Sequence, residues 1–141
     1  MNLQALYECL AHPDRLRIVA LLGQRPLCVQ ELQRVLQLSQ VEVSKHLAYL
    51  RNLNFVEVLK SRTWRIYQLP AELSFEFSQH LRCLQDCIRE GSWLNEELAR
   101  LAALPVRVVK HVSRLQERGT PEQPQESVTD PAPGTLEDHL L

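Results

Sequence analysis

Along most of the chain the apolar residues recur every three or four positions, and over one stretch they follow a strand pattern instead. Asn2–Ala11 sets Leu3, Leu6, Tyr7 and Leu10 at helical spacing. Pro13 suits the first turn of a second helix, where its missing N–H costs nothing. Leu16, Val19, Ala20 and Leu22 continue that helix to Gly23, a C-terminal stop. Pro26 separates it from a third helix, about Cys28–Leu36, with Val29, Leu32, Val35 and Leu36 as its buried stripe. Ser39 followed by Glu42 has capping-box spacing and opens a fourth helix to Asn52. Its inward face holds Val43, Leu47, Leu50 and Leu53, so Gln40, Glu42, Ser44, Lys45 and Tyr49 turn outward.

Phe55–Leu59 and Trp64–Leu69 are rich in β-branched and aromatic residues, and with Lys60–Thr63 between them they predict a hairpin. Pro70 ends it. A long fifth helix follows over about Ala71–Arg89, with Phe77, Leu81, Leu84 and Ile88 as its stripe. Gly91 stops it, and Ser92 is placed to cap a sixth helix through Leu94, Leu98 and Leu101. Pro105 either kinks that helix or starts another, and Val106–Arg118 keeps helical spacing. Beyond Gly119 the chain has four prolines and no aromatic residue, which predicts disorder. The expectation is a mainly α protein with a small β-hairpin. Its parts are a main domain over 1–91, an additional helical segment over 92–118 and a disordered acidic tail over 119–141.

Two short helices joined by a tight turn and followed by a hairpin make a winged helix-turn-helix. The turn Gln37-Leu38-Ser39 would set the second helix so that its N-terminal end enters a DNA major groove. Ser39, Gln40, Glu42, Ser44, Lys45 and Tyr49 are the candidate contacts from that helix, and Arg62 and Arg65 those from the hairpin. Gln40 can pair with adenine, and Lys45 can reach guanine or phosphate. Glu42 suits a capping role better than a bond from cytosine. His46 falls at the edge of the buried stripe and reads as structural. Lys60, Arg62 and Arg65 can hold phosphates and fix register.

Charge supports this picture once the tail is set apart. The whole chain of 141 residues carries a formal charge of −1, yet all 16 Lys and Arg lie at or before Arg118. The five acids beyond it leave twelve against those sixteen cations, so residues 1–118 carry +4. So small an excess cannot hold DNA tightly through phosphates alone. A two-fold dimer answers this, with recognition helices roughly 34 Å apart on an inverted repeat. No apolar run is long enough to span a bilayer and no cleavable leader is evident, so a cytoplasmic protein with reduced thiols is expected. Nothing points to an enzyme: the chain has no phosphate-cradling glycine loop, no nucleophile elbow and no His-Glu-x-x-His, and its five histidines are scattered.

Over about residues 3–90 the chain resembles the ArsR family of bacterial metal- and thiol-responsive repressors. The resemblance is carried by Leu10–Leu22 (LAHPDRLRIVALL), Leu27–Leu32 (LCVQEL), Leu38–Val56 (LSQVEVSKHLAYLRNLNFV) and Trp64–Leu69 (WRIYQL). Val41 departs from the Pro or small polar residue common there. Asn54 replaces a usual glycine and tolerates the same left-handed backbone, and Arg62 replaces a common wing glycine. The resemblance implies a homodimer formed through the first and fifth helices, and an apoprotein that represses its operator until an inducer releases it.

The cysteines bear on the inducer. In the family's arsenite-responsive branch the third helix carries Leu-Cys-Val-Cys-Asp-Leu, whereas this chain has Leu27-Cys28-Val29-Gln30-Glu31-Leu32, with one thiol missing. Cys83 and Cys87, spaced i, i+4 on the long helix, offer a substitute pair for a soft ion. Cys9 and Cys28 are the candidate third ligands, with arsenite or a related trivalent metalloid as the expected inducer. Small buried cysteines are also ordinary core residues. His80 and Glu90 on the same helix could complete a zinc or cadmium site instead, but the family's Asp-x-His pattern is absent. A third reading uses no metal, and makes thiol oxidation or persulfidation the switch.

Overall fold

The computed structural model describes residues 2–61 and 64–105. Six helices and three short strands run in the order α1 (Leu3–Leu10), α2 (Pro13–Leu22), β1 (Leu27–Cys28), α3 (Val29–Leu36), α4 (Gln40–Asn52), β2 (Glu57–Ser61), β3 (Trp64–Gln68), α5 (Phe75–Arg89) and α6 (Asn95–Ala102) among the described residues. Side-chain acceptors start four of the helices by taking backbone N–H groups that have no partner within the helix. Asn2 Oδ1 accepts from Gln4 N–H at 2.9 Å, His12 Nδ1 from Asp14 N–H at 3.2 Å, Ser39 Oγ from Glu42 N–H at 3.2 Å and Ser74 Oγ from Phe77 N–H at 3.2 Å. Between α3 and α4 the chain reverses at Gln37, whose φ of 57° and ψ of 46° are left-handed. Asn54 (φ 62°) adopts the backbone expected of it after α4.

The hairpin gains a third strand. Short β1 pairs antiparallel with β3, Leu27 opposite Tyr67 and Cys28 opposite Ile66, giving the order β1-β3-β2. Cys28 therefore ends a strand and stands just before α3 instead of inside it. Its N–H donates to Glu31 Oε1 at 2.9 Å, which accounts for a carboxylate only 5% exposed. The wing is thus tied to the base of α3 by backbone pairing.

One core joins the helices. Leu6 and Cys9 from α1, Ile18, Val19 and Leu21 from α2, Leu32 and Val35 from α3, and Val43, Leu47 and Leu50 from α4 are all buried. The α4 residues are the inward face expected from spacing. Phe55 and Phe77 stack with centroids 5.0 Å apart and anchor α5. That helix begins at Phe75, not Ala71, because Ser74 caps it. Of its stripe only Phe77 is fully buried, while Leu81, Leu84 and Ile88 stay half-exposed.

The next helix also starts later than expected. Ser92 does not cap it: the Ser92 hydroxyl donates to Cys87 O at 3.1 Å, closing α5 instead. Leu94 takes a left-handed turn (φ 63°) into α6, which ends at Ala102, before Pro105. Three arginines tie α6 to α3, to the segment after α2 and to α2. Arg100 donates to Val35 O at 2.7 Å, Arg25 to Leu101 O at 3.1 Å and Arg17 to Glu97 Oε2 at 3.0 Å. The expected helix over Val106–Arg118, the tail over 119–141 and Arg62 lie outside the described residues.

Candidate nucleic-acid interface and thiol site

The outer face of α4 is polar and open. Ser39, Gln40, Glu42, Ser44, Lys45 and Tyr49 are all exposed, while Val43, His46, Leu47 and Leu50 are buried beneath them. Glu42 spends its backbone N–H on the Ser39 cap, as the spacing predicted, and stands in the first turn of α4, where the helix dipole favours negative charge. Tyr49 is 38% exposed and carries the Arg15 guanidinium 4.0 Å above its ring. Arg15 is fixed in turn by donating to Cys9 O at 2.8 Å and Glu8 O at 3.1 Å. A cation thus sits at the edge of the recognition face that periodicity alone did not reveal.

Between α4 and the wing runs a groove of about 650 Å³. Gln40 and Ser44 from α4 and Arg65 from β3 line it, so three of the sequence-predicted contacts share one surface. Gln30, Arg51 and Asn52 join them and were missed. Arg51 follows Ser44 by two helical turns, so the i, i+3, i+7 spacing was the available signal. The groove therefore pairs hydrogen-bonding amides and a hydroxyl with two guanidinium groups, the chemistry needed to read base edges and hold phosphates.

The thiols separate into two classes. Cys83 is exposed and Cys87 half-buried on α5, beside an open groove of about 430 Å³ that Asp86 and Glu90 also line. Partial desolvation, the neighbouring Cys83 and the carboxylates of Asp86 and Glu90 push the Cys87 thiol up. Cys9 is fully buried in the core, and burial raises its thiol against the pull of Arg15. Cys28 is 2% exposed, and burial, with Glu31 alongside, pushes it up to about 11. Among the described residues of one chain, neither Cys9 nor Cys28 forms a group of three ligand atoms with Cys83 and Cys87.

His80 is not free to join that pair either. Its Nδ1–H donates to Glu76 O at 2.7 Å, which leaves Nε2 to accept from the Tyr7 hydroxyl at 2.8 Å. The ring ties α5 to α1 instead.

Among the described residues, the one cluster of His, Cys, Asp or Glu drawn close enough for a single ion is His12, Asp14 and His46. Its atoms are already committed. His12 Nδ1 receives the Asp14 N–H, so its neutral ring carries the proton on Nε2 and offers no second lone pair. Asp14 pairs with Arg17, and its other oxygen lies 3.7 Å from His46 Nε2. Burial holds His46 below the ordinary imidazole range, and the adjacent His12 ring, 4.4 Å away, acts the same way. This is a joint between α2 and α4, in keeping with the structural reading of His46.

Comparison with known proteins places this geometry. A family model described as "Bacterial regulatory protein, arsR family" matches residues 12–58. The arsenic resistance transcriptional regulator ArsR1 of Pseudomonas putida (strain KT2440) is 33% identical over 103 residues, which span 72% of this chain and 79% of that protein. The chain belongs to the ArsR family. Among solved structures of ArsR-like shape, HlyU from Vibrio cholerae N16961 is 33% identical, with a TM-score of 0.53 over 58% of this chain and 86% of that one. HlyU from Vibrio vulnificus CMCP6 is 34% identical with a TM-score of 0.52, over 58% and 82%. The family match runs from the His12 cap of α2 into β2, and so includes the whole helix-turn-helix. An ArsR-family protein is a DNA-binding transcriptional regulator, not an enzyme. Its architecture is the winged helix-turn-helix expected, with β1 added to the hairpin. Among the described residues no helix is long and apolar enough to cross a membrane.

Proposed function

We propose that this ArsR-family regulator is a homodimeric repressor, released from an inverted-repeat operator when a trivalent metalloid, arsenite above all, engages Cys83 and Cys87. The observation that carries the reading is that two accessible thiols, one helical turn apart on α5, line the same open groove. Their chemistry favours arsenite over a divalent ion. Zinc is held in closed tetrahedral sites of four ligands, and these two thiols supply only half of them, with His80 already engaged by Glu76 and Tyr7. Arsenous acid can be held by the pair: as two As–S bonds form, two of its hydroxide ligands take up the two thiol protons and leave as two waters. The third arsenic ligand then stays as hydroxide or comes from the partner chain, since Cys9 and Cys28 are sealed in the core.

Dimerisation is supported by apolar surface left bare on one chain. Leu3 and Tyr7 on α1 and Phe75 on α5 are 48%, 56% and 74% exposed. Pairing through α1 and α5 would cover them and put the thiol pair next to the interface. An inducer there changes the spacing of the two α4 helices, and differential affinity of the inducer for the two spacings is what release requires.

The similarity to an arsenic resistance regulator points the same way. A second reading, thiol oxidation or persulfidation as the switch, is favoured by one relative whose structure is described as reduced HlyU. The deciding experiment follows operator release by fluorescence anisotropy with arsenite, cadmium, zinc and a mild oxidant, on the native chain and on Cys83→Ser and Cys87→Ser. Release by arsenite that disappears in both variants is expected. Undiminished arsenite response in both variants removes the α5 site, and release by oxidant alone establishes the second reading.

A further inference from the structure

Val41 is the most exposed large apolar side chain among the described residues, at 76%. Nothing in the fold explains it. A β-branched residue in an exposed helical turn loses side-chain freedom and gains no burial, so neither propensity nor packing selects valine there. Its place is specific: second residue of α4, directly after Gln40 and one turn ahead of Ser44 and Lys45, both exposed. Spacing of three and four residues puts Val41, Ser44 and Lys45 on one face, and Ala48, exposed one turn further on, continues it. Val41 is the apolar tip of that strip, and polar Ser44 and basic Lys45 follow it.

In a helix-turn-helix the N-terminal residues of the second helix meet the base edges. The one apolar group displayed by bases in the major groove is the C5-methyl of thymine. We infer that Val41 reads a thymine methyl in each operator half-site, next to the base edge met by Gln40. The inference rests on α4 being the groove-entering helix and specifies what that helix recognises. Covering one methyl group is worth roughly a fourfold change in affinity per half-site.

The test uses an operator duplex selected from random sequence by the full-length chain. Each thymine is replaced singly by deoxyuridine, which removes the methyl and nothing else, and affinity is read by anisotropy at fixed salt. One thymine per half-site is expected to lose about fourfold on replacement, and in Val41→Ala that loss should vanish while the other positions respond as before. Because Val41 is exposed, the variant's thermal unfolding should match the native chain, which separates recognition from folding. Affinity indifferent to every replacement overturns the methyl contact but leaves DNA binding intact, as does equal sensitivity in Val41→Ala. Failure to bind any selected duplex overturns both.

Discussion

At the scale of single residues, environment divides groups that look alike in the sequence. All four cysteines read there as candidate ligands, Cys83 and Cys87 as the pair and Cys9 or Cys28 as the third, yet Cys9 and Cys28 are buried while Cys83 and Cys87 lie on an open helix face. With a neutral-pH thiol reagent and mass spectrometry, Cys83 should be modified first in the native chain. Cys9 and Cys28 should react only after unfolding, because thiolate and access are both withheld. Early labelling of Cys28 would contradict its place beneath the wing. His46 makes the complementary point. Its lowered folded pKa means the unfolded chain binds the proton more readily. The stability tied to neutral His46 is therefore complete above the ordinary imidazole value of about 6.5. It is lost as pH falls from there through the lowered native value. Urea unfolding of His46→Gln should show a shallower loss of stability across that acid window, and an unchanged slope would assign the proton elsewhere. Individual exposures on α4 were legible from spacing, because a helix fixes which neighbours share a face. The joint of His12 and Asp14 with His46 was not legible, since it depends on how two separate helices cross.

At the scale of elements, caps decided what was readable. The Ser39–Glu42 spacing located the start of α4, and Asn54 marked its exit. The starts of α5 and α6 were misplaced because apolar residues before Ser74 and Leu94 continue a helical spacing that the backbone does not follow. The strand β1 was invisible: two residues hold no periodicity, and their pairing with β3 is distant in the chain. Within one chain α5 is held by the buried Phe77 ring on Phe55, by Leu81 and Leu84 packed against the core and by His80 on Tyr7. Phe77→Ala should cost about 3–5 kcal/mol, a large part of the roughly 5–15 kcal/mol typical of a whole domain. Chemical denaturation would measure it, and a loss under 1 kcal/mol would mean that α5 is held by other means.

At the scale of the whole molecule, the charge division anticipated a nucleic-acid partner where the overall balance did not. Sixteen cations precede an acidic tail, so the +4 of residues 1–118 is masked in the total of −1. The bare apolar positions of α1 and α5 and the groove between α4 and the wing are the two surfaces we propose for a second chain and for DNA. The identity of the inducer was the least legible feature. A ligand site depends on distances between thiols, and a sequence gives those only for pairs on one helix such as Cys83 and Cys87. The most direct measurement is titration of a labelled operator with the chain over a range of salt concentrations, with stoichiometry from sedimentation. Two chains per duplex, and an affinity that falls steeply and linearly in log–log form with salt and weakens in Gln40→Ala and Lys45→Ala, is the predicted result. A single bound chain, or an affinity flat with salt and unchanged in those variants, would contradict it.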